Sequence, residues 1–294
     1  MHTELGPVGP TDDTLISAGV DWITAVALEE VSSLKLSLLA STLMRHQVEI
    51  GNLKRAWGMA GFTGFAAGQV QFGMRGDETI LRLSSGTAEM HWKQLYRESD
   101  RVTRIDVQAT LRTKLEPRDV IQTHWDEARI DSGKHKRGPS VSLVTSNDGS
   151  DTCYLGKRSS CIFGRIYNKG IESKLAEYKR CVRYEVEYKG KASILLARRL
   201  AQASSSRSLA VEYIHSFLLT RGVVSPFSSS ALHQLIVSRT RTDTLRRLEW
   251  LRKQARGSAN VIVTQGMGAE LLKALGLEID DRGELRVSGG PTSN

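Results

Sequence analysis

A tyrosine flanked by two cations stands in the segment Gly164 to Lys169 (GRIYNK). The segment has strand composition, and alternate residues of a strand point to the same side of a sheet. Arg165, Tyr167 and Lys169 are therefore predicted to share one face. A phenol can attack phosphorus when a nearby cation or metal raises its reactivity, and flanking cations can hold the phosphate oxygens in the transition state. The pattern is typical of phosphodiester transfer.

Two other strand-like segments carry carboxylates on one face. Arg104 to Gln108 (RIDVQ) contains Asp106, and Arg183 to Lys189 (RYEVEYK) contains Glu185 and Glu187, each with apolar residues on the opposite face. Carboxylate oxygens are hard ligands that suit Mg²⁺ or Mn²⁺, which would polarise a scissile phosphate. Together with the tyrosine they form a candidate nicking site.

Spacing alone leaves an ordinary structural interpretation open. Tyrosine is favoured in strands, and any solvated antiparallel sheet alternates a polar face with an apolar one. Single carboxylates such as Asp106 are most often surface or ion-paired groups.

Most of the elements that must position these residues are strands. The sequence predicts strands at Val20 to Val26, Val70 to Met74, Thr79 to Leu83, Val102 to Ala109, Val141 to Thr145, Thr152 to Leu155, Ile162 to Asn168 and Val182 to Tyr188. Arg75-Gly76-Asp77 is predicted to join the second and third as a hairpin.

The helical patterns lie mainly toward the end of the chain. Helices are predicted at Leu28 to Met44, Thr87 to Tyr96, Pro117 to Ile130, Glu172 to Lys179, from Ile194 to a break near Gly222, Leu232 to Gln254 and Ala269 to Leu275. Strands followed by helices predict an α+β fold, an antiparallel sheet flanked by helices with a helical C-terminal part.

The charge balance favours a polyanionic partner. The 41 Lys and Arg residues exceed the 32 Asp and Glu residues, which leaves a net charge of +9. No apolar run approaches the roughly 20 residues that span a bilayer, and the first residues do not resemble a signal peptide. Cys153, Cys161 and Cys181 have neither disulfide-framework nor metal-site spacing. We therefore expect a cytoplasmic protein without a membrane partner.

The segments Tyr154 to Ser160 (YLGKRSS) and Arg165 to Lys169 (RIYNK), followed by Glu172, resemble the signature of the replication initiation factor family. These proteins are rolling-circle initiators of plasmids, filamentous phages and related mobile elements, with conjugative relaxases among their relatives. Other stretches agree in order with the family, from Asp21-Trp22 through Arg104-Ile105-Asp106 and Arg183 to Glu187 to Leu248 to Leu251. The resemblance extends from about residue 20 to about residue 275.

The resemblance implies a metal-dependent enzyme that nicks and joins DNA. Tyr167 matches the nucleophile, which becomes joined to the 5′ phosphate and leaves a 3′ hydroxyl to prime synthesis, with Arg165 and Lys169 beside it. Asp106, Glu185 and Glu187 fall where metal-site acids are expected, with Mg or Mn as the cofactor. The implied partners are a double-strand origin that is locally single-stranded at the nick, a host helicase and a second copy of the chain.

The fold that the resemblance implies is similar to that of nicking domains with a His-hydrophobe-His metal motif. This sequence lacks that motif, because its seven histidines are scattered. Among them His124 is expected on a helix surface rather than at the metal.

Basic residues outside the strands are candidates for DNA contacts. Lys157 and Arg158 lie beside the signature, where a solvated turn is the alternative explanation. The predicted helix around Leu245 to Leu251 carries Arg241, Arg246, Arg247, Arg252 and Lys253 with an apolar stripe. This basic face is interpreted either as a grip on duplex DNA or as a solvated helix face.

Two alternatives to a replication initiator stay open. A conjugative relaxase would use the same chemistry at a transfer origin, and a DNA-binding regulator would keep the fold without cleavage. The predicted domain organisation is a flexible leader at 1–18, a nicking domain at 19–225, a basic helical segment at 226–278 and a flexible tail at 279–294.

Overall fold

The computed structural model describes residues 13–49, 53–55, 61–133, 140–227, 277–279 and 285–287. Two compact units divide the chain, Met1–Ile236 and Val237–Asn294. The predicted helices Leu232 to Gln254 and Ala269 to Leu275 and the loop at 134–139 lie outside the described residues. The predicted domain boundaries stay predictions.

The first unit is built on one antiparallel sheet, in which ten strands are described in the order β2-β3-β4-β5-β1-β6-β10-β9-β8-β7. Their bounds are β1 Thr14–Ala27, β2 Leu53–Arg55, β3 Thr63–Ala67, β4 Val70–Arg75, β5 Glu78–Ser84, β6 Arg101–Arg112, β7 Val141–Val144, β8 Thr152–Leu155, β9 Ile162–Asn168 and β10 Cys181–Lys189. Six helices are described in this unit, α1 Glu30–Glu49, α2 Ser85–Glu98, α3 Pro117–Gly133, α4 Lys169–Ser173, α5 Lys191–Gln202 and α6 Ser206–Leu219. The predicted antiparallel α+β fold is confirmed.

The long central strands separate an apolar face from a polar one. Val107 and Val186 are directly opposite each other on β6 and β10, and both are buried, as is Ile166 on β9. Helices α5 and α6 pack across β1, β6 and β10. At Gly164 the ring of Phe217 from α6 lies so close that an added Cβ would stand 2.3 Å from Phe217 Cε1. Burial of these apolar side chains supplies the main stabilisation of the fold.

Two short strands, β2 and β3, were not predicted. The glycine-rich stretch that holds β3 weakens the strand pattern, yet the pairing requires a glycine there. A Cβ at Gly64 would stand 1.9 Å from the carbonyl oxygen of Phe72 on β4. Glycine is thus used for close approach of two backbones.

The predicted helix Glu172 to Lys179 is wrong in its bounds. Helix α4 begins three residues earlier and ends at Ser173, because Lys174 adopts a left-handed conformation with φ of 60°. The side chain of Asn168 caps the helix by accepting a hydrogen bond from the Ile171 amide. A single 3-10 turn, Ala176–Tyr178, follows. Lys169 is therefore the first helical residue and not the last residue of β9.

The second unit shows one antiparallel hairpin within its described residues, β11 Leu277–Ile279 and β12 Leu285–Val287. In the part of the chain that the structure describes, no helix combines the length and the apolar character that crossing a bilayer would take.

Candidate active site

The register of three central strands brings the predicted polar residues onto one face of the sheet. Glu187 lies directly opposite Asp106 of β6, and Glu185 lies opposite Arg165 of β9. Arg183 is opposite Tyr167. Because side chains alternate between faces along each strand, these residues all project away from the helices α5 and α6. The predicted gathering of Tyr167, Arg165 and the carboxylates on one face is observed.

Tyr167 is held by a carboxylate and a guanidinium. Its hydroxyl donates a hydrogen bond to Glu185 Oε2 at 3.2 Å, and the guanidinium of Arg165 lies 5.3 Å from the centre of its ring. Arg165 Nη2 in turn donates to Glu185 Oε1 at 2.5 Å. The tyrosine is 8% exposed, and part of its surface lines a cavity on the polar face. The phenol therefore lies among charged groups and not in the apolar core.

Burial raises the pKa of the Tyr167 phenol above its usual range, and the charge of Glu185 raises it further. The nearby Arg183 and Arg165 act in the opposite direction. The same pairing with Glu185 raises the pKa of Arg165, so this guanidinium stays charged at all working pH values. At neutral pH the tyrosine is thus a protonated phenol whose proton already points at a carboxylate.

Lys169 does not extend β9 as the sequence predicted, because it is the first residue of α4; its ammonium group lies at the ring of Tyr178, which Arg183 of the polar face also contacts. Because Lys169 starts α4, its ammonium group turns to Glu172 Oε2 at 2.5 Å and lies 5.7 Å from the ring centre of Tyr178. Its positive charge still acts on Asp21, where it partly offsets the rise in pKa that burial causes. A direct role for Lys169 at the phosphate stays a prediction.

Each predicted metal-site carboxylate is engaged by a cation. Asp106 accepts two hydrogen bonds from Arg104, at 2.8 Å from Nε and 2.5 Å from Nη2. The same guanidinium lies 2.7 Å from Glu187 Oε2, and Lys189 Nζ lies 2.7 Å from Glu187 Oε1. Asp106 is 1% exposed. Burial raises its pKa, with smaller contributions from Glu185 and Glu187, although Arg104 opposes this change.

The carboxylate oxygens of these residues are ligands that a hard divalent ion prefers, but they are not arranged around a common point. Asp106, Glu185 and Glu187 offer carboxylate oxygens on neighbouring strands, and burial, together with the smaller effect of the two glutamates, raises the pKa of Asp106. Within residues 13–49, 61–133 and 140–227, however, no group of three or more acidic, histidine or cysteine side chains converges as a metal site. The guanidinium of Arg104 bridges Asp106 and Glu187, and the guanidinium of Arg165 binds Glu185.

Two residues at this site, Asp21 and Arg183, were missed as functional candidates. Arg183 is 5% exposed, and it donates to Thr110 Oγ1 at 2.9 Å and to Asp21 Oδ1 at 3.1 Å. Burial and the charge of Glu185 raise the pKa of Asp21, while Arg183 lowers it. A buried cation is tolerated only when it is paired and hydrogen-bonded. This one lies beside Tyr167, on the neighbouring strand β10.

A bulge in β1 explains the position of Asp21. The pairing of β1 with β6 shifts by one residue between Val20 and Trp22, so Asp21 is an extra residue. Both Asp21 and Trp22 can then lie on the polar face, which no regular strand permits for adjacent residues. The adjacent acidic and aromatic residues in a strand were the only sequence signal of this arrangement.

His124 was expected on a helix surface, and this expectation is wrong. It is 8% exposed, and its Nε2 lies 2.9 Å from the hydroxyl of Tyr184, while Nδ1 lies 3.0 Å from Glu127 Oε2. Tyr184 alternates with Arg183 and Glu185 along β10, so His124 lies on the opposite side of the sheet from Tyr167. The buried tyrosine hydroxyl needs a polar partner there.

The proposed DNA contacts are only partly described. Lys157 and Arg158 are exposed in the turn between β8 and β9, and the carbonyl of Arg158 accepts a hydrogen bond from Lys189 Nζ. The basic residues of the C-terminal segment lie outside the described residues, namely Arg241, Arg246, Arg247, Arg252 and Lys253. Contacts of either group with DNA stay predictions.

Comparison with known proteins finds a family match in the central part of the chain. Residues 100–221 match the family model described as replication initiation factor. No curated protein matches the chain. Among solved structures, a rolling circle replication initiator protein from Geobacillus stearothermophilus is similar, with 17% identity, a TM-score of 0.49 and coverage of 76% of this chain and 90% of that chain.

The resemblance inferred from the sequence is confirmed for the matched residues, which include Tyr167, Arg165, Lys169 and the three predicted metal-site carboxylates. The wider extent predicted from the sequence, from about residue 20 to about residue 275, stays a prediction.

Proposed function

We propose that this replication initiation factor domain nicks and rejoins one DNA strand through a 5′-phosphotyrosine at Tyr167. One observation carries the proposal. The Tyr167 hydroxyl donates to Glu185 at 3.2 Å while Arg165 binds the other oxygen of the same carboxylate. A nucleophile, a proton acceptor and a cation for the phosphate are thus within reach of one another, which is the arrangement that covalent catalysis requires.

The reaction balances without water. The phenolic oxygen of Tyr167 forms a bond to phosphorus, the bond from phosphorus to the 3′ oxygen breaks, and the downstream fragment stays on the enzyme through its 5′ phosphate. The phenolic proton passes to Glu185 and ends on the departing 3′ oxygen, which becomes a 3′ hydroxyl. One phosphodiester has replaced another, so the reverse attack by a 3′ hydroxyl rejoins DNA.

Arg165 has two roles in this proposal. Its guanidinium neutralises Glu185 in the absence of DNA, and it is exposed enough, at 35% of its side chain, to contact a phosphate oxygen. A planar guanidinium can bind two oxygens of a phosphate at once and can stabilise the charge that develops on them. Lys169 is proposed to contribute a second positive charge from the start of α4.

Asp106, Glu185 and Glu187 are proposed to hold a Mg²⁺ or Mn²⁺ ion. Such an ion, when bound, stabilises negative charge on the scissile phosphate. The chain's own contribution is the crowded carboxylate set on β6 and β10, which is held by Arg104, Arg165 and Lys189. Removal of divalent ions with a chelator should abolish nicking, and Mn²⁺ should restore it.

The direct test uses labelled single-stranded oligonucleotides that tile the replicon's double-strand origin, incubated with the full chain and Mn²⁺. We expect an adduct that survives SDS, with the label on the 5′-phosphate side, and peptide mapping should find it on Tyr167. Tyr167→Phe should form none. Tyr184→Phe is the control, because Tyr184 lies on the other face of the sheet. An adduct formed by Tyr167→Phe, or none formed by the wild type on any origin oligonucleotide, would refute the proposal.

Two alternatives give different outcomes in the same assay. A conjugative relaxase would form the Tyr167 adduct on transfer-origin DNA and not on replication-origin DNA. A non-cleaving regulator would protect the origin in a footprint and would leave both strands intact when Mn²⁺ is present. A host helicase and a second copy of the chain are the further partners expected at the origin, and sedimentation of the complex would test the dimer.

A further inference from the structure

We infer that the cavity beside Tyr167 binds one unpaired nucleotide of the strand that is cut. This inference rests on the proposed function and names a substrate contact within it. The cavity has a volume of about 290 Å³, and Tyr167 and Arg165 form part of its wall. That size lies at the lower end of small-ligand sites, which begin at about 300 Å³. This volume is large enough for one base.

The walls of the cavity are preformed. Asp151 is 2% exposed and accepts hydrogen bonds from Arg118 Nε at 2.6 Å and from the Ser146 amide at 3.0 Å. These bonds tie the loop between β7 and β8 to helix α3. On the same loop, Asp148 accepts hydrogen bonds from the amide and the hydroxyl of Ser150, at 2.9 Å and 2.7 Å. A site whose walls are already ordered loses little entropy when a ligand binds.

The opposite wall comes from the start of α4 and is joined to the loop. Asn168 Nδ2 donates to the carbonyl of Gly149 at 3.4 Å, and a Cβ at Gly149 would stand 3.0 Å from Ile171 Cδ1. Gly149 has a φ of 79°, in the region that favours glycine. Loop and helix therefore close around the cavity as one structure, with Tyr167 on β9 beside them.

The lining offers apolar, aromatic and hydrogen-bonding groups that suit a base. Tyr154 and Ile171 supply aromatic and apolar surface, and Thr152 and Asn168 supply polar groups. The Tyr154 ring is itself fixed by stacking on Phe163 at 5.8 Å. Asp148 and Glu172 also line the cavity and can accept hydrogen bonds from a base, while Arg165 and Lys174 in the same lining supply positive charge for the phosphate that adjoins it. Bases removed from a stack are recognised by such combinations of stacking and hydrogen bonds.

The position of Tyr167 in the wall fixes which nucleotide is meant. A base seated in the cavity has its sugar at the side where Tyr167 and Arg165 lie, so the phosphate that the phenol attacks is one that adjoins this nucleotide. Binding of the base would then place the scissile phosphate, and it would make cleavage depend on the identity of a neighbouring nucleotide.

Abasic substitution of the origin oligonucleotide tests this inference. At each position in turn the base is removed while the sugar and phosphate stay in place, and the rate of adduct formation is measured with the full chain and Mn²⁺. We expect a loss of about tenfold or more at one position next to the scissile phosphate, because one stacked base contributes roughly 1–3 kcal/mol. Uniform rates at both positions that flank the nick would overturn the inference.

A matched pair of variants then assigns the effect to the cavity. Ile171→Trp fills the cavity with an indole, and Ile130→Trp places the same side chain on the exposed surface of α3, where Ile130 is 60% exposed. If the thermal unfolding temperatures of both variants match the wild type, Ile171→Trp should lose discrimination between intact and abasic DNA, whereas Ile130→Trp should keep it. Should Ile171→Trp unfold, Thr152→Leu narrows the cavity with a smaller change. Wild-type discrimination in a folded cavity variant would contradict the inference.

Binding without cleavage separates this inference from the proposed function. In the background of Tyr167→Phe, which can form no adduct, the affinity for the same oligonucleotides is measured by fluorescence anisotropy. We expect the abasic position to weaken binding by about tenfold, and Ile171→Trp should remove that difference. Equal affinities for intact and abasic DNA would exclude the nucleotide site even if adduct formation is found. Failure of the wild type to form any adduct would instead refute the function alone.

Discussion

Tyr167 and Tyr184 are buried tyrosines on neighbouring strands, but they lie on opposite faces of the sheet. Burial raises the pKa of both phenols. Tyr184 is 1% exposed, and its hydroxyl lies 2.9 Å from His124 Nε2 among aromatic rings. Tyr167 meets a carboxylate and a guanidinium, and it borders a cavity.

The difference shows what a candidate nucleophile needs besides burial. A phenol in the core has a partner for its proton but no path to a substrate and no cation for a phosphate. A phenol on the polar face has a partner for its proton, a path to a substrate and a cation for the phosphate. Tyr184 therefore contributes to stability, and Tyr167 is the residue that we propose as the nucleophile.

The largest effect is expected from removing the carboxylate that distinguishes the two sites. Glu185→Gln keeps the shape of the side chain but cannot take the phenolic proton, so adduct formation should slow by roughly 10²- to 10⁴-fold. Single-turnover rates with origin oligonucleotides measure this loss. Glu98→Gln, at the end of α2 and outside the site, is the matched control. A rate within a factor of three of the wild type would show that Glu185 is not the proton acceptor.

The second largest effect is expected on stability, from breaking the ion pair of Arg183 and Asp21 beside Tyr167. Arg183→Met removes the hydrogen bonds to Asp21 and Thr110 and leaves a mostly buried carboxylate without its cation. The cost of breaking such a pair is about 3 kcal/mol in the free energy of unfolding, which denaturant titration would measure. Adding Asp21→Asn should recover part of the loss, because the unpaired charge is then gone. An additive double mutant would mean that the two side chains do not interact.

On the apolar face the expected effect is smaller and leaves the chemistry unchanged. Tyr184→Phe deprives Nε2 of the buried His124 of its hydrogen-bond partner, which should cost about 1–2 kcal/mol in the free energy of unfolding. The adduct should still form at the wild-type rate at a temperature where the variant is folded. A slow reaction in a folded Tyr184→Phe would contradict the division of roles between the two faces.

The smallest effect is expected from changes in the basic C-terminal segment, and it should alter the binding of duplex DNA. Replacing Arg246 and Arg247 with alanine should weaken binding to duplex origin and should reduce the slope of log affinity against log salt by about two. The rate of adduct formation on saturating single-stranded DNA should not change. An unaltered salt slope would show that this basic segment does not contact duplex DNA.

Alternation along strands predicted much of this site. It placed Arg165 and Tyr167 on one face and Asp106 with Glu185 and Glu187 on the same side, and the strand pairing brings them together. It also predicted the hairpin of β4 and β5, where Gly76 has a φ of 55°. These features depend on a local period of two residues, which a sequence shows directly.

Features that depend on an irregularity or on a distant partner were not predictable. Lys169 was expected on the strand that carries Tyr167, but the cap at Asn168 ends that strand and makes Lys169 the first residue of α4. The burial of His124 follows from its contact with Tyr184, 60 residues away in sequence. The single helix predicted from Ile194 is two helices, because Ser205 caps a new one by accepting from the Ser208 amide. Local pattern says little about such contacts.

The extra residue in β1 has a consequence for exchanging parts of this chain with those of other proteins. Before Val20 the odd-numbered residues Ser17 and Gly19 share the face of Gln108 and Thr110, whereas after Asp21 the even-numbered Trp22 and Thr24 do. If a transplanted strand kept Asp21 but paired with its new neighbour without the bulge, one half would turn inside out, and the indole of Trp22 would be driven among the aliphatic side chains under the helices. Chimeras should therefore be joined outside 14–27, so that both phases of the strand travel together.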